Sequence, residues 1–263
     1  MNIPSLLSLF LSGGVLFTGL FLSTDDVSIF WDAVSIFIVF GGTLAATSIS
    51  FQLTKILKLV RVFFQRILRD KGITEYHEVI IELMKLGEAY RTNSRKFKPM
   101  IDNISDPFLK DSMLTFTDGI LEKQEFFHVL QNRAENSYQH HIQDANKFKI
   151  VGKFPPAFGM MGTTIGMIVL LSNLAGADAA KTIGPAMSIC LITTLYGVAL
   201  ANLLIIPIAE NLTTGAKEVY FKNTIIIEGV KLIHQKQNPV IIAEVLNSFL
   251  KPGDRVDWKK AIK

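Results

Sequence analysis

The stretch FPPAFGMMGTTIGMIVLLSNLAGA, residues 154–177, opens on two prolines, carries four glycines and two adjacent threonines, and contains no charge. A bilayer takes roughly 20 apolar residues to cross, so the stretch is long enough to span one. Leucine alone would insert better, and the glycines need another reason. Gly159, Gly162, Thr163 and Gly166 recur at i, i+3, i+4 and i+7, one face of a helix. Within hydrocarbon, helices associate by close packing rather than by excluding water, and small residues mark the contact faces. The stripe therefore predicts a second helix against it. GPAMSICLITTLYGVALANLLIIPIAENL (184–212) carries a matching stripe: Ala186, Cys190, Thr193, Thr194, Gly197 and Ala201.

The paired threonines have two readings. A threonine in a membrane helix commonly bonds back to a carbonyl of the preceding turn. Hydroxyls recurring in both glycine-rich spans can also replace part of an ion's hydration. Pro156 and Pro207 are similarly open: each ends a helix, or Pro207, followed by a continuing helical pattern, kinks one.

Working outward, the 263 residues are 49% hydrophobic with a mean hydropathy of +0.34, and the apolar residues lie in long blocks, which excludes an ordinary soluble globule. Four blocks are long enough to span: about 5–22, 27–49, 155–176 and 183–208. Lys55, Lys58, Arg61, Arg66, Arg69 and Lys71 follow the second, and Lys147, Lys149 and Lys153 precede the third. Such cations resist translocation, which places the loop between these spans in the cytoplasm. The turns 23–26 and 177–182 face outward, and both termini lie inside. The first block lacks a basic n-region and a cleavage site, and reads as a retained anchor. Cys190 is the single cysteine, so neither an intrachain disulfide nor a cysteine metal cluster forms. The pI near 9.0 follows from the cations beside the spans rather than from a nucleic-acid surface.

The expected fold is an all-α membrane protein: a hairpin of spans at 1–50, a helical cytoplasmic domain at 51–152, a second hairpin at 153–208 and a helical cytoplasmic segment at 209–263. Segment 75–91 reads as an amphipathic helix with Thr74 as its N-cap. Segments 108–121, 124–150 and 217–235 read similarly. RTNSRKFKP (91–99), ISDP (104–107) and KQNP (236–239) read as breaks.

No catalytic constellation emerges. The five histidines are scattered, and His140 and His141 point to different helix faces. There is no phosphate-binding lysine loop, no GxSxG and no HExxH, so ATP is not the energy source. An ion pathway normally includes an intramembrane carboxylate. Asp32, about a turn and a half into the second span, is the one candidate, and it also fits a solvated end residue. The third and fourth spans carry no acidic or basic side chain. If the protein conducts ions, a partner supplies the main carboxylate.

Residues 156–174, 183–212, EGVKLIHQKQNP (228–239) and WDAVSIFIVFGGTLAA (31–46), with the four-span order, resemble the MotA/PomA family of flagellar motor stator subunits. The resemblance covers nearly the whole chain and is loose from about 92 to 150. It implies a homopentamer in the bacterial inner membrane around a dimer of a MotB/PomB-like subunit, whose aspartate carries the ion and whose periplasmic domain grips peptidoglycan. It implies torque on the rotor switch protein FliG and no cofactor beyond transported Na+ or H+. Pro156 and Pro207 match the family's two functional prolines, which couple conformation to ion passage, and Gly159, Gly162, Gly166 and Gly197 serve helix packing. Thr163, Thr194 and Asp32 match residues of sodium-driven members. Arg91 aligns with the rotor-facing arginine. The acidic residues expected beyond it are replaced by RKFKPMID (95–102), leaving Arg95, Lys96, Lys98 and Asp102 as the charged set. The related ExbB and TolQ energisers, which power outer-membrane processes, typically have three spans and an external N-terminus. A transporter or membrane enzyme acting alone lacks the residues it needs.

Overall fold

The computed structural model describes residues 11, 13–15, 18–19, 21–69, 73–95, 97–174 and 179–258. Among them the chain is helical, with no strand. The expected first span falls largely outside the described residues, and those of it that are described are helical. Three described helical runs are long and apolar enough to cross a membrane, not four: Val27–Ser50, Lys123–Asn173 and Ile183–His234. The chain divides into two compact units, residues 1–70 with 142–213 and residues 71–141 with 214–263.

In the first unit a 3-10 turn, Val27–Phe30, is capped by the Asp26 carboxylate on the Ser28 N–H. Helices α1 (Ala33–Ile36) and α2 (Gly42–Ser50) follow, joined by a π turn, Phe37–Gly41. Lys55, Lys58, Arg61, Arg66 and Arg69, expected only to fix orientation, sit on a helix, α3 (Leu53–Arg69), and Lys71 lies outside the described residues. Ile56 from α3 packs with Phe148, Val151 and Ala209 in a small buried cluster.

The third span, α8 (Phe154–Asn173), begins after a two-residue turn that ends the helix α7 (Lys123–Val151). Prolines 155 and 156 occupy the first turn of α8, where no intrahelical N–H is needed. The fourth span corrects the sequence reading at both ends. Its helix α9 (Ala179–Ala199) starts inside the expected outer turn and holds Lys181. It then continues through a π turn, Leu200–Ile205, into α10 (Ile206–His234), so Pro207 does not end the helix. Ahead of Pro207, the Ile206 N–H already reaches back five residues to the Ala201 carbonyl. The proline's missing donor thus falls where the hydrogen-bond ladder is changing register, and the helix survives it.

The second unit contains α4 (Ile73–Arg91), α5 (Phe97–Asp102), α6 (Pro107–Asp118) and α11 (Pro239–Asn247), with the adjoining parts of α7 and α10. The helix expected at 75–91 has begun by Ile73, so Thr74 lies within it and is not its cap. The break expected over 91–99 is shorter, since Arg91 is the last residue of α4 and Lys98 lies in α5. Ile80, Leu83, Leu86, Leu109, Leu130, Ile226, Ile233 and Leu246 are fully buried, each such side chain contributing about 1.5–3 kcal/mol of apolar burial. Lys222 bridges this core electrostatically, 2.7 Å from Glu75 and 2.6 Å from Asp106. Asp106 also caps α6 through the Leu109 N–H at 2.9 Å.

Candidate functional site

The two small-residue stripes face each other. A Cβ at Gly159 would stand 2.9 Å from the Thr193 carbonyl oxygen, and one at Gly162 would enter the Thr193 side chain at 2.5 Å. One at Gly166 would meet the Cys190 sulfur at 2.5 Å, and one at Gly197 the Pro155 carbonyl oxygen at 2.5 Å. Along this face α8 and α9 therefore touch backbone to backbone, a proximity only hydrogen side chains allow. α2 joins them at another notch, where the Phe158 ring fills the space beside Gly42.

This approach sorts the four threonines. Thr164 donates to the Met160 carbonyl at 3.1 Å and Thr193 to the Ile189 carbonyl at 2.7 Å, each bonding back within its own helix. Thr163 and Thr194 cross between helices, with their hydroxyl oxygens 2.7 Å apart. The Thr163 hydroxyl also lies 3.0 Å from the Cys190 carbonyl and 3.1 Å from that of Gly159, and Thr194 Oγ1 is 3.1 Å from the Cys190 carbonyl. Two protons serve this group, one per hydroxyl. When both protons point at carbonyls, the paired oxygens present lone pairs to whatever lies beside them. Thr163 is half-buried and Thr194 exposed, so the pair sits at the edge of the helix seam.

Asp32 is not a turn and a half into a helix. The turn Val27–Phe30 and the extended Trp31 precede it, and its carboxylate caps α1 by accepting from the Ser35 N–H at 2.6 Å. No hydrogen bond among the described residues joins it to the threonine pair. Pro156 is half-buried in the first turn of α8, and Pro207 lies two residues beyond the π turn.

Three further polar groups on or against the second span went unread in the sequence. The hydroxyls of Ser35 and Thr43 are buried and find no hydrogen-bond partner among the described residues. Their eight-residue spacing puts them on one face, but single hydroxyls in an apolar run carry little signal. Tyr196 donates to the Phe30 carbonyl, tying α9 to the turn before α1. It also borders an apolar cleft of about 390 Å³ with Val27, Phe30, Trp31, Ile36 and Phe40.

In the second unit, Arg91, Arg95, Lys98 and Asp102 are all exposed, grouped around the end of α4 and along α5. Lys96 lies outside the described residues. The Asp102 carbonyl accepts from Lys110 Nζ at 2.7 Å. No cluster of metal-ligating side chains occurs among the described residues.

A model of the MotA/TolQ/ExbB proton channel family matches residues 100–222. Motility protein A of Borreliella burgdorferi is 30% identical over 265 residues, spanning 100% of this chain and 99% of the relative. The chain belongs to the MotA/PomA family of flagellar stator subunits. Chemotaxis protein PomA of Vibrio alginolyticus is 27% identical over 230 residues, covering 88% of each chain. The solved structure of the flagellar MotAB stator complex from Bacillus subtilis matches 97% of both chains, with a TM-score of 0.79 and 25% identity. This stator chain is a multi-pass inner-membrane subunit of an ion-driven flagellar motor, and not an enzyme.

Proposed function

We propose that five copies of this stator chain surround a dimer of a MotB/PomB-like, peptidoglycan-binding subunit, and that sodium passes beside the paired hydroxyls of Thr163 and Thr194. The observation that carries this reading is the hydroxyl pair, 2.7 Å apart at the edge of an otherwise apolar seam. A hard cation leaving water needs oxygen ligands, which hydroxyls and carbonyls supply and methyl groups do not. The apolar stretches 155–176 and 183–208 hold no acidic or basic side chain, so the ionised group comes from the partner, with Asp32 a further carboxylate at the start of the second span. Movement near Pro156 and Pro207 couples ion passage to rotation of the ring. Torque passes from a cytoplasmic lobe, residues 51–152 with 209–263, to the rotor switch protein FliG through Arg91, Arg95, Lys96, Lys98 and Asp102. Both termini are then cytoplasmic, as the distribution of Lys and Arg requires.

The test is a threonine series scored as motility against external sodium at fixed membrane potential. Thr163→Ser and Thr194→Ser keep the hydroxyl and are expected to retain more rotation than the valine or alanine variants, with assembly intact in all. Valine keeps the threonine shape, so valine performing as well as serine would mean that the pair serves packing alone. Rotation of the unmodified chain that persists unchanged without sodium would assign the ion as H+.

A further inference from the structure

Two helix ends in the second unit are built alike. α4 closes with the Asn93 N–H on the Tyr90 carbonyl at 3.2 Å and the Ser94 N–H on the Ala89 carbonyl at 2.9 Å. α10 closes with the Lys236 N–H on the Ile233 carbonyl at 2.8 Å and the Gln237 N–H on the Leu232 carbonyl at 3.1 Å. Each is a paired 5→2 and 6→1 closure whose pivotal residue is left-handed, with φ of 50° at Asn93 and 55° at Lys236. Asparagine is among the few side chains that tolerate this region. Lysine is not, and glycine would take the same conformation without the steric conflict. A side chain is therefore kept at a position where having none would fold more easily, an outlier that points to use.

The side chain goes somewhere specific. Lys236 Nζ sits 5.8 Å from the centre of the Tyr90 ring, within cation–π range, which holds the ammonium beside the residue that precedes Arg91. Lys236 is exposed, as are Arg91, Arg95 and Lys98. Lys231, one turn earlier on α10, is neutralised by Glu228 at 3.2 Å, whereas no acidic side chain pairs with Lys236 among the described residues.

We propose that Lys236 is a further member of the stator's basic rotor-facing edge, fixed beside Arg91 by the two closed helix ends and meeting acidic side chains on the rotor. The assignment rests on the rotor contact proposed above. It adds the turn that closes α10 to a surface otherwise drawn from α4, α5 and the turn between them.

The test reads torque per stator unit, as the step in rotation speed when single units join a motor in cells whose only stator is this chain with its partner. The step height does not depend on how much protein is made. Lys236→Gly removes the cation and relieves the backbone, and should give a smaller step with unfolding temperature unchanged or raised. Lys236→Arg should keep the step, and Lys236→Glu should abolish it, with recovery when an acidic rotor residue is changed to lysine. A full-size step in Lys236→Gly overturns the proposal, as does a step lost equally in Lys236→Arg. Failure of any Lys236→Gly units to join would place the residue in assembly and overturn it too. Arg91→Glu serves as the reference. If it also leaves the step intact, the rotor-contact reading itself fails. If it shrinks the step while Lys236→Gly does not, only the assignment of Lys236 falls.

Discussion

Replacing Gly197 with alanine tests the close seam most directly. The new Cβ would lie 2.5 Å from the Pro155 carbonyl oxygen, 3.1 Å from its carbon and 3.2 Å from Gly159 Cα, all backbone atoms that no rotamer change can move. Carbon and oxygen settle at about 3.3 Å or more, so α8 and α9 must part by about 0.8 Å. A rigid shift of that size would stretch the 2.7 Å contact between Thr163 and Thr194 to about 3.5 Å, beyond hydrogen-bond range. Overpacking of this kind costs about 1–3 kcal/mol. Gly184→Ala is the control, because its Cβ meets nothing within 4 Å. Both changes gain the same helix propensity, up to about 1 kcal/mol, so the difference between them isolates the clash. Unfolding of the purified chain in mixed detergent micelles should show Gly197→Ala less stable than Gly184→Ala by about 1–3 kcal/mol. Equal midpoints would refute the backbone-to-backbone seam.

Other consequences are as direct. Lys222→Met leaves Asp106, 8% exposed, without its cation, and should cost about 3–5 kcal/mol in thermal unfolding. Glu82 borders a cavity of about 420 Å³ with Glu78, Lys85 and Asn103. Burial raises its pKa above the usual carboxylate value, against a lowering hydrogen bond from the Ser105 backbone. The folded form then holds the proton more tightly than the unfolded chain, so stability falls as pH rises from about 4.5 through the folded pKa; Glu82→Gln should flatten that slope and leave the chain more stable at pH 7. Asp32→Asn keeps the cap on Ser35 while Asp32→Ala loses about 0.5–2 kcal/mol of it. Loss of sodium-driven rotation in the asparagine variant at unchanged stability would assign the carboxylate's charge to the ion path, and normal rotation would leave it a cap. A cysteine at Asp178 should react with an impermeant reagent from outside and one at Lys98 should not, and the reverse pattern would invert the proposed topology.

The seam between α8 and α9 was legible because small residues at helical spacing in an apolar run have few other uses. The stripe separates Thr163 from Thr164, but Thr193 and Thr194 both fall on the facing stripe, and only the rotation of the helices shows that Thr194 crosses while Thr193 bonds back to Ile189. The position of Asp32 was misjudged because the turn Val27–Phe30 is apolar and hides the true helix start at Ala33. Pro207 could be read as ending its helix or kinking it, and the sequence does not show the π turn Leu200–Ile205 that absorbs the proline. Hydropathy reports that a segment is apolar but not how its hydrogen bonds are spaced. The left-handed Lys236 runs against residue preference, so nothing in the local pattern announces it.

The lone thiol offers one more use of the seam. Cys190 donates its S–H to the Thr163 carbonyl at 3.3 Å, one turn from the hydroxyl pair. The S–H stretch absorbs in an infrared window where other protein groups are nearly silent, and its frequency follows the strength of the bond the thiol makes. The unmodified chain thus carries a built-in vibrational reporter, with no second thiol to confuse the band. Difference spectra recorded on exchanging sodium for potassium would watch the Thr163 backbone respond, without a label, a dye or a mutation.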